Sequence, residues 1–210
     1  MEALVVVKKL YQPLRGVKPS FRAYHVFLAL TSLRREGPLG RIALSKRLEL
    51  GEAAVKTLVK RMRDLGLATV DRVAGVLLTE EGARIAKLLE DLMTYLGPLE
   101  LGPICGGCRT YGLVLRGFRR VLEGVGYLRL RDLVVREGAD GALIVYCGER
   151  PVMPVSGGFE EVAGTLGEVA RGSCGSEDVL VISICCSSNK DCSKAPIGAA
   201  LNLLDSLLDP

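Results

Sequence analysis

The sequence predicts an α+β protein in two parts: a helical N-terminal region closed by a short hairpin, then a two-layer α+β domain. Three observations predict it. Over residues 52–65, Val55, Leu58, Val59, Met62 and Leu65 recur at helical spacing, with cations on and beside the opposite face. Immediately after, residues 67–72 and 76–78 are short β-branched runs joined across Val73, Ala74 and Gly75, which reads as a hairpin. Far downstream, residues 178–186 (DVLVISICC) are apolar and β-branched, as in a strand covered on both faces.

Residues 3–10 fit a strand or a short helix equally, and Pro13 and Pro19 end whichever forms. Ser20 is a suitable N-cap for a helix over 21–36, whose apolar positions are Phe21, Tyr24, Phe27, Leu28, Leu30 and Leu33. Gly37-Pro38 closes it. A short helix with Ile42, Leu44 and Leu48 inward comes next. Gly51 permits a sharp turn into the helix over 52–65, and Gly66 caps that helix in the left-handed region. Thr79 caps a helix with Glu80 and Glu81 in its first turn, where the dipole favours them. Its stripe of Ile85, Leu88, Leu89, Leu92 and Met93 extends it to about residue 96, with Gly97-Pro98 as the stop. The domains expected are therefore 1–97 and 98–210, and the joining helix either seams a dimer or packs on its own domain.

Beyond Pro98 the pattern predicts a strand over 111–116, a helix over 127–137 and strands over 141–147 and 150–155. A helix over 159–170, the strand over 178–186 and a helix over 194–208 follow, the last with Ile197, Leu201, Leu204 and Leu208 on one stripe. Such alternation over roughly one hundred residues suits a single sheet-and-helix domain.

Nearly half the residues are apolar and Trp is absent, so the chain can bury a core and that core is aliphatic. No apolar run reaches transmembrane length. The first residues carry their cations after the apolar run and lack a small-residue cleavage site, so no secretory leader is expected and the cytoplasm is the default. Charge is uneven. Residues 18–75 hold 12 Lys and Arg against 5 Asp and Glu, a net +7, whereas residues 96–210 hold 11 against 14, a net −3. The basic excess coincides with the paired helices and predicts a polyanionic partner at that end.

A short helix, a tight turn and an exposed basic helix form the pattern of a helix-turn-helix, whose second helix enters the major groove. Lys56, Thr57, Lys60 and Arg61 lie on or beside the outward face of that second helix, as does Arg63. Arg41, Lys46 and Arg47 come from the helix before it, and Arg72 sits near the hairpin tip. Long cations suit phosphate oxygens, and Arg or Thr can reach groove edges. The alternative is an ordinary solvated helix face; Asp64 on the same face speaks for it, while basic face, turn and hairpin agreeing in register speak for DNA.

Seven cysteines are present. Cys105 and Cys108 form a CxxC, and Cys185, Cys186 and Cys192 cluster around the end of the strongest strand. These five are the candidate metal ligands, since four thiolates can close a tetrahedral zinc site. A zinc ribbon needs a second CxxC at matching distance and none exists, so packing or disulfides rank ahead and no metal is assigned. His25 is the only histidine, which excludes a histidine-based triad or multi-histidine metal site within one chain. No GxGxxG follows a strand and no Walker pattern occurs, so no cofactor is assigned. Ser156-Gly157-Gly158-Phe159, read as preceding a helix, offers backbone amides to an anion. The polar loop over 187–193 follows the strongest strand, where ligands collect.

Helix, turn, helix and a hairpin ending in LTEEG resembles winged-helix DNA-binding domains over about residues 20–96. Taken whole, the chain resembles an archaeal family of winged-helix proteins with an uncharacterised C-terminal domain (domain-of-unknown-function family 4443). That resemblance rests on Lys18-Pro19-Ser20-Phe21 with Tyr24-His25-Val26, Gly37-Pro38-Leu39-Gly40-Arg41, the run from Leu50 through Leu58, Leu78-Thr79-Glu80-Glu81-Gly82 and Arg136 through Ala142. It implies a winged helix joined to a small α+β domain and a transcriptional role, with no catalytic residues to carry over. The GADGA stretch at 138–142 also looks like the inserted domain of some aspartyl-tRNA synthetases and tRNA amidotransferases. The cysteine set matches no pattern of the family.

The function expected is a DNA-binding transcription regulator without enzymatic activity. Its partners would be double-stranded DNA, a second copy of itself and a small-molecule effector sensed by the C-terminal domain, with no membrane. The alternative is an RNA- or tRNA-enzyme-associated binding protein, separable by competing duplex DNA against tRNA at fixed salt.

Overall fold

A computed structural model describes residues 2–14, 16–102, 106–187, 189 and 191–208. The chain divides into two compact units, Met1–Asp91 and Leu92–Pro210.

The first unit runs α1 (Glu2–Tyr11), α2 (Ala23–Glu36), α3 (Arg41–Leu48), α4 (Glu52–Asp64), β1 (Ala68–Asp71), β2 (Gly75–Leu78) and α5 (Glu80–Leu92). Residues 3–10 resolve as helix because Ala3, Leu4, Val7 and Leu10 share one helical face, and all four are buried. The helix over 21–36 starts two residues late. Its first turn is closed by His25, whose Nδ1 accepts the Arg22 backbone N–H at 2.9 Å, rather than by Ser20. Leu44 and Leu48 of α3 are buried as expected, but Ile42 is 64% exposed, because it lies about 200° round the helix from Leu44. In α4, Val55, Leu58, Val59 and Met62 form the inward stripe and Leu65 falls outside it, exposed. The turn between α3 and α4 takes its left-handed residue at Glu49 (φ 53°), not at Gly51, which has ordinary extended dihedrals as N-cap of α4. Gly66 (φ 71°) does supply the left-handed step after α4.

Strands β1 and β2 pair antiparallel from Ala68 opposite Leu78 to Asp71 opposite Gly75. Leu39, between α2 and α3, adds a bridge to Val76 on the hairpin's other edge. Thr79 caps α5 as read from sequence, its Oγ1 accepting the Gly82 N–H at 3.0 Å.

The second unit is a six-stranded antiparallel sheet in the order β3-β4-β8-β5-β6-β7. Its elements are β3 (Met93–Leu99), β4 (Arg109–Leu115), α6 (Arg119–Val125), α7 (Tyr127–Arg136), β5 (Gly141–Tyr146), β6 (Val152–Val155), β7 (Gly158–Glu161), α8 (Gly164–Ser173), β8 (Val179–Cys185) and α9 (Ala195–Leu208). Central β8 is flanked by β4 and β5, and Val179 through Ile182 are fully buried. Helices α7 and α9 pack on each other and on these strands, which gives the expected sheet-and-helix layers. A further core lies on the opposite face, where Leu166 and Ala170 of α8 meet Val114, Val145, Leu180 and Ile182.

Two expectations fail here. The helix expected to reach residue 96 stops at Leu92, and Met93–Leu99 becomes edge strand β3, with a register shift between Tyr95 and Gly97. Gly97-Pro98 ends a helix but is tolerated at a sheet edge, where a missing N–H costs no ladder bond. The helix expected over 159–170 is instead hairpin strand β7 followed by α8, and Phe159 lies 59% exposed on that strand, its ring 5.7 Å from Tyr146.

Candidate nucleic-acid interface

Helix α4 is held from beneath by its apolar stripe, and its remaining faces carry the charge. Lys56, Thr57, Lys60 and Arg63 are exposed. The Thr57 hydroxyl donates back to the Ala53 carbonyl at 3.0 Å, which leaves the oxygen's accepting side outward. Arg41 and Lys46 are exposed on α3, and Arg72 is exposed beyond β1. Among the described residues, Arg41, Lys46, Lys56, Lys60, Arg63 and Arg72 make no ion pair. Arg47 differs, since it pairs with Glu36.

Arg61 is a correction. It is 8% exposed, and its Nη1 donates to the carbonyls of Leu10 and Gln12, both at 2.7 Å. Its guanidinium lies 5.6 Å from the Phe21 ring centroid. At roughly 100° per residue Arg61 sits on the flank of α4 between stripe and outward face, and that flank packs against α1. Arg61 thus satisfies the end of α1, and its burial keeps the guanidinium from being presented to a groove. Arg63 lies on the opposite flank, exposed.

The hairpin is shaped by its own turn. The Asp71 carboxylate accepts the Val73 and Ala74 N–H groups, each at 2.7 Å. The Ala74 amide first, and Val73 after it, hold that carboxyl below the usual range. Val73 stands 98% exposed at the tip beside Arg72. Gly75 (φ 100°) passes so close to the chain that a Cβ would lie 2.6 Å from the Leu39 carbonyl oxygen. Gly82 similarly lets α5 approach the end of α4's turn, since a Cβ there would fall 1.9 Å from the Leu67 carbonyl oxygen. Sequence reading missed both close approaches, though Gly75 and Gly82 each stood inside a quoted motif.

The cysteines pair. Cys108 bonds Cys186, Cys147 bonds Cys174 and Cys185 bonds Cys192. Of the five candidate metal ligands, Cys108, Cys185, Cys186 and Cys192 are thus each engaged in a disulfide, and Cys105 lies outside the described residues. No group of three or more His, Cys, Asp or Glu that could hold a metal is present among the described residues. His25 is buried at 7% exposure and serves the start of α2.

Ser156-Gly157-Gly158-Phe159 turns out to be the turn between β6 and β7, so it presents no helix N-terminus to an anion. Of the loop over 187–193, the described part is anchored at both ends. Asp140 accepts the Cys186 and Ser187 N–H groups, and Asp191 accepts the Ser193 N–H and pairs with Lys194.

No protein-family model and no curated protein matches the chain. Among solved structures it is similar to a hypothetical protein of Pyrococcus horikoshii, at 23% identity and a TM-score of 0.63, covering 90% of this chain and 95% of that one. It is also similar to a MarR-family protein of Mycobacterium tuberculosis at 21% identity and a TM-score of 0.30, covering 42% of this chain and 63% of that one. The first similarity establishes a shared fold over nearly the whole chain. The second overlay is too loose to bear on fold or function. No helix among the described residues is long and apolar enough to cross a membrane.

Proposed function

We propose that this chain is a cytoplasmic DNA-binding transcription regulator of the archaeal winged-helix kind, acting as a homodimer. Its second unit serves sensing or assembly. The observation that carries the reading is the set of cations left, among the described residues, without an acidic partner on two consecutive helices and the hairpin: Arg41, Lys46, Lys56, Lys60, Arg63 and Arg72. Intrachain pairs of the Arg47–Glu36 kind leave these six cations untouched among the described residues, so their positive potential is not locally neutralised. A kinship with family 4443 belongs to this proposal and rests on the short motifs quoted above.

The test is duplex DNA binding by fluorescence anisotropy across a salt series. Replacing Lys56 and Lys60 with Ala should weaken binding by about tenfold or more and flatten the slope of log K against log salt by nearly 0.9 per lost phosphate contact. Affinity and slope unchanged in the double variant would reject α4 as the reading helix. tRNA outcompeting duplex DNA at fixed salt would favour the RNA-associated alternative.

A further inference from the structure

Strands β5 and β6 are neighbours in the sheet, joined in register at Tyr146 opposite Val152. Side chains alternate between the two faces along each strand. Leu143 of β5 and Met153 of β6 pack into the core beneath α8. Ala142, Ile144 and Pro154, one position along, therefore turn to the opposite face. On that face α7 packs on α9 and β5, and the sheet continues past it to β6 and β7. A trough of about 340 Å³ lies in the angle between helix and sheet. Tyr127, Leu128 and Arg131 of α7 form its wall, and Ala142, Ile144 and Pro154 belong to its floor.

Three properties define what the trough takes. Its body is apolar: Ile144 is buried in the floor, and Leu128 stands 49% exposed on the wall. Its charge is a single cation. Arg131 is the one charged residue among those lining it, is exposed, and makes no hydrogen bond or ion pair among the described residues. The next residue, Asp132, is turned about 100° round the helix and does not line the trough. Its volume falls at the low end of small-ligand sites, about 300–1,000 Å³.

We infer that this trough binds a small apolar monocarboxylate, whose hydrocarbon body covers Leu128, Ile144 and Pro154 and whose carboxylate is held by Arg131. A neutral hydrocarbon would gain from the apolar walls but leave the guanidinium unused. A bare anion would gain only a pair with an exposed cation, which water and salt weaken. A ligand with both parts uses both features of the site. The planar guanidinium offers a carboxylate two parallel N–H donors. A phosphate dianion would call for a second cation, and no other charged residue lines the trough. The sensing role proposed above for the second unit would make this ligand its effector; binding itself is measured without DNA, so either reading can fail alone.

The experiment is calorimetric titration of the full chain, in the absence of DNA, with 3-phenylpropionate, against 3-phenylpropionamide and acetate. The acid should bind saturably in about the millimolar range or tighter, with the amide and acetate at least about tenfold weaker. Arg131→Gln should bring the acid to the amide's affinity with the melting temperature unchanged, because Arg131 holds no intrachain partner among the described residues. Leu128→Ser should weaken acid and amide alike, since this half-exposed side chain serves the ligand more than the core. In amide-resolved NMR spectra, Ala142, Ile144 and Ser156 should shift with the acid. Absence of saturable binding up to about tenfold above the millimolar range overturns the inference. So do amide or acetate binding as tightly as the acid, an Arg131→Gln variant with the parent's affinity, or shifts confined to residues outside the trough.

Discussion

Arg61 shows how a single side chain can look functional in sequence and be structural in the fold. Its two hydrogen bonds to the carbonyls of Leu10 and Gln12 tie α4 to the end of α1 from a buried position. Truncating it leaves two acceptors without their donor and removes the cation from Phe21. Arg61→Ala should therefore destabilise the first unit by about 2–3 kcal/mol in chemical denaturation. Arg61→Lys should rescue little of that, since an ammonium cannot reproduce the fork and the ring contact. DNA affinity measured well below the melting temperature should be nearly unchanged by either variant, in contrast to the Lys56 and Lys60 pair. Arg61 was misread because its neighbour across the flank is α1, and residues 3–10 alone do not declare whether they are helix or strand. The exposure of Lys56, Lys60 and Arg72 was legible because it depends only on the local period of α4 and the hairpin beside it.

Elements were readable to the extent that their signals are local. Helix α4, the hairpin and β8 each carry a periodicity complete within the segment, and each appears where expected. Met93 carries a false one: it continues the helical stripe of Leu89 and Leu92 in α5, and only pairing with β4 turns Met93–Leu99 into strand. The cysteine partners were unreadable for the same reason, because pairing is set by which strand ends the sheet brings together. The hairpin gives a direct test at this scale. Gly75→Ala forces a left-handed dihedral on a side chain and sets its Cβ against the Leu39 carbonyl. The bridge between Leu39 and Val76 should open, seen as faster hydrogen exchange at the Val76 amide, with about 2 kcal/mol lost from the first unit. Unaltered exchange at Val76 would mean that Leu39 does not anchor the hairpin.

At the scale of the whole molecule, the second unit is braced by one carboxylate and three covalent links. Burial alone would raise the Asp178 carboxyl, but the Gly117 and Gly175 amides and Arg116, at 2.8–2.9 Å, together hold it below the usual range. A carboxyl depressed on folding contributes stability that is complete above the unfolded pKa, near 3.9, and is lost as pH falls through the lower folded value. Asp178→Asn should cost about 2 kcal/mol at neutral pH and flatten the acid limb below about pH 4; an acid limb as steep as that of the parent would assign the effect elsewhere. The Cys108–Cys186 link closes a loop of 78 residues, worth about 4.5 kcal/mol by chain entropy. Reductant should lower the melting temperature of the second unit and leave the first, which has no cysteine, in place.

The charge contrast between the two halves bears most on function. The basic excess lies in the unit that carries α3, α4 and the hairpin, and Arg41, Lys46, Lys56, Lys60, Arg63 and Arg72 there make no ion pair among the described residues. The measurement that tests this most directly is the anisotropy of labelled duplex DNA titrated with the full chain from 50 to 300 mM salt, for the parent and for Lys56→Ala with Lys60→Ala. Binding that falls steeply with salt, and a double variant with about two fewer phosphate contacts in its slope, is the expected result. A salt-independent or identical response in the two proteins would contradict an interface built on α4.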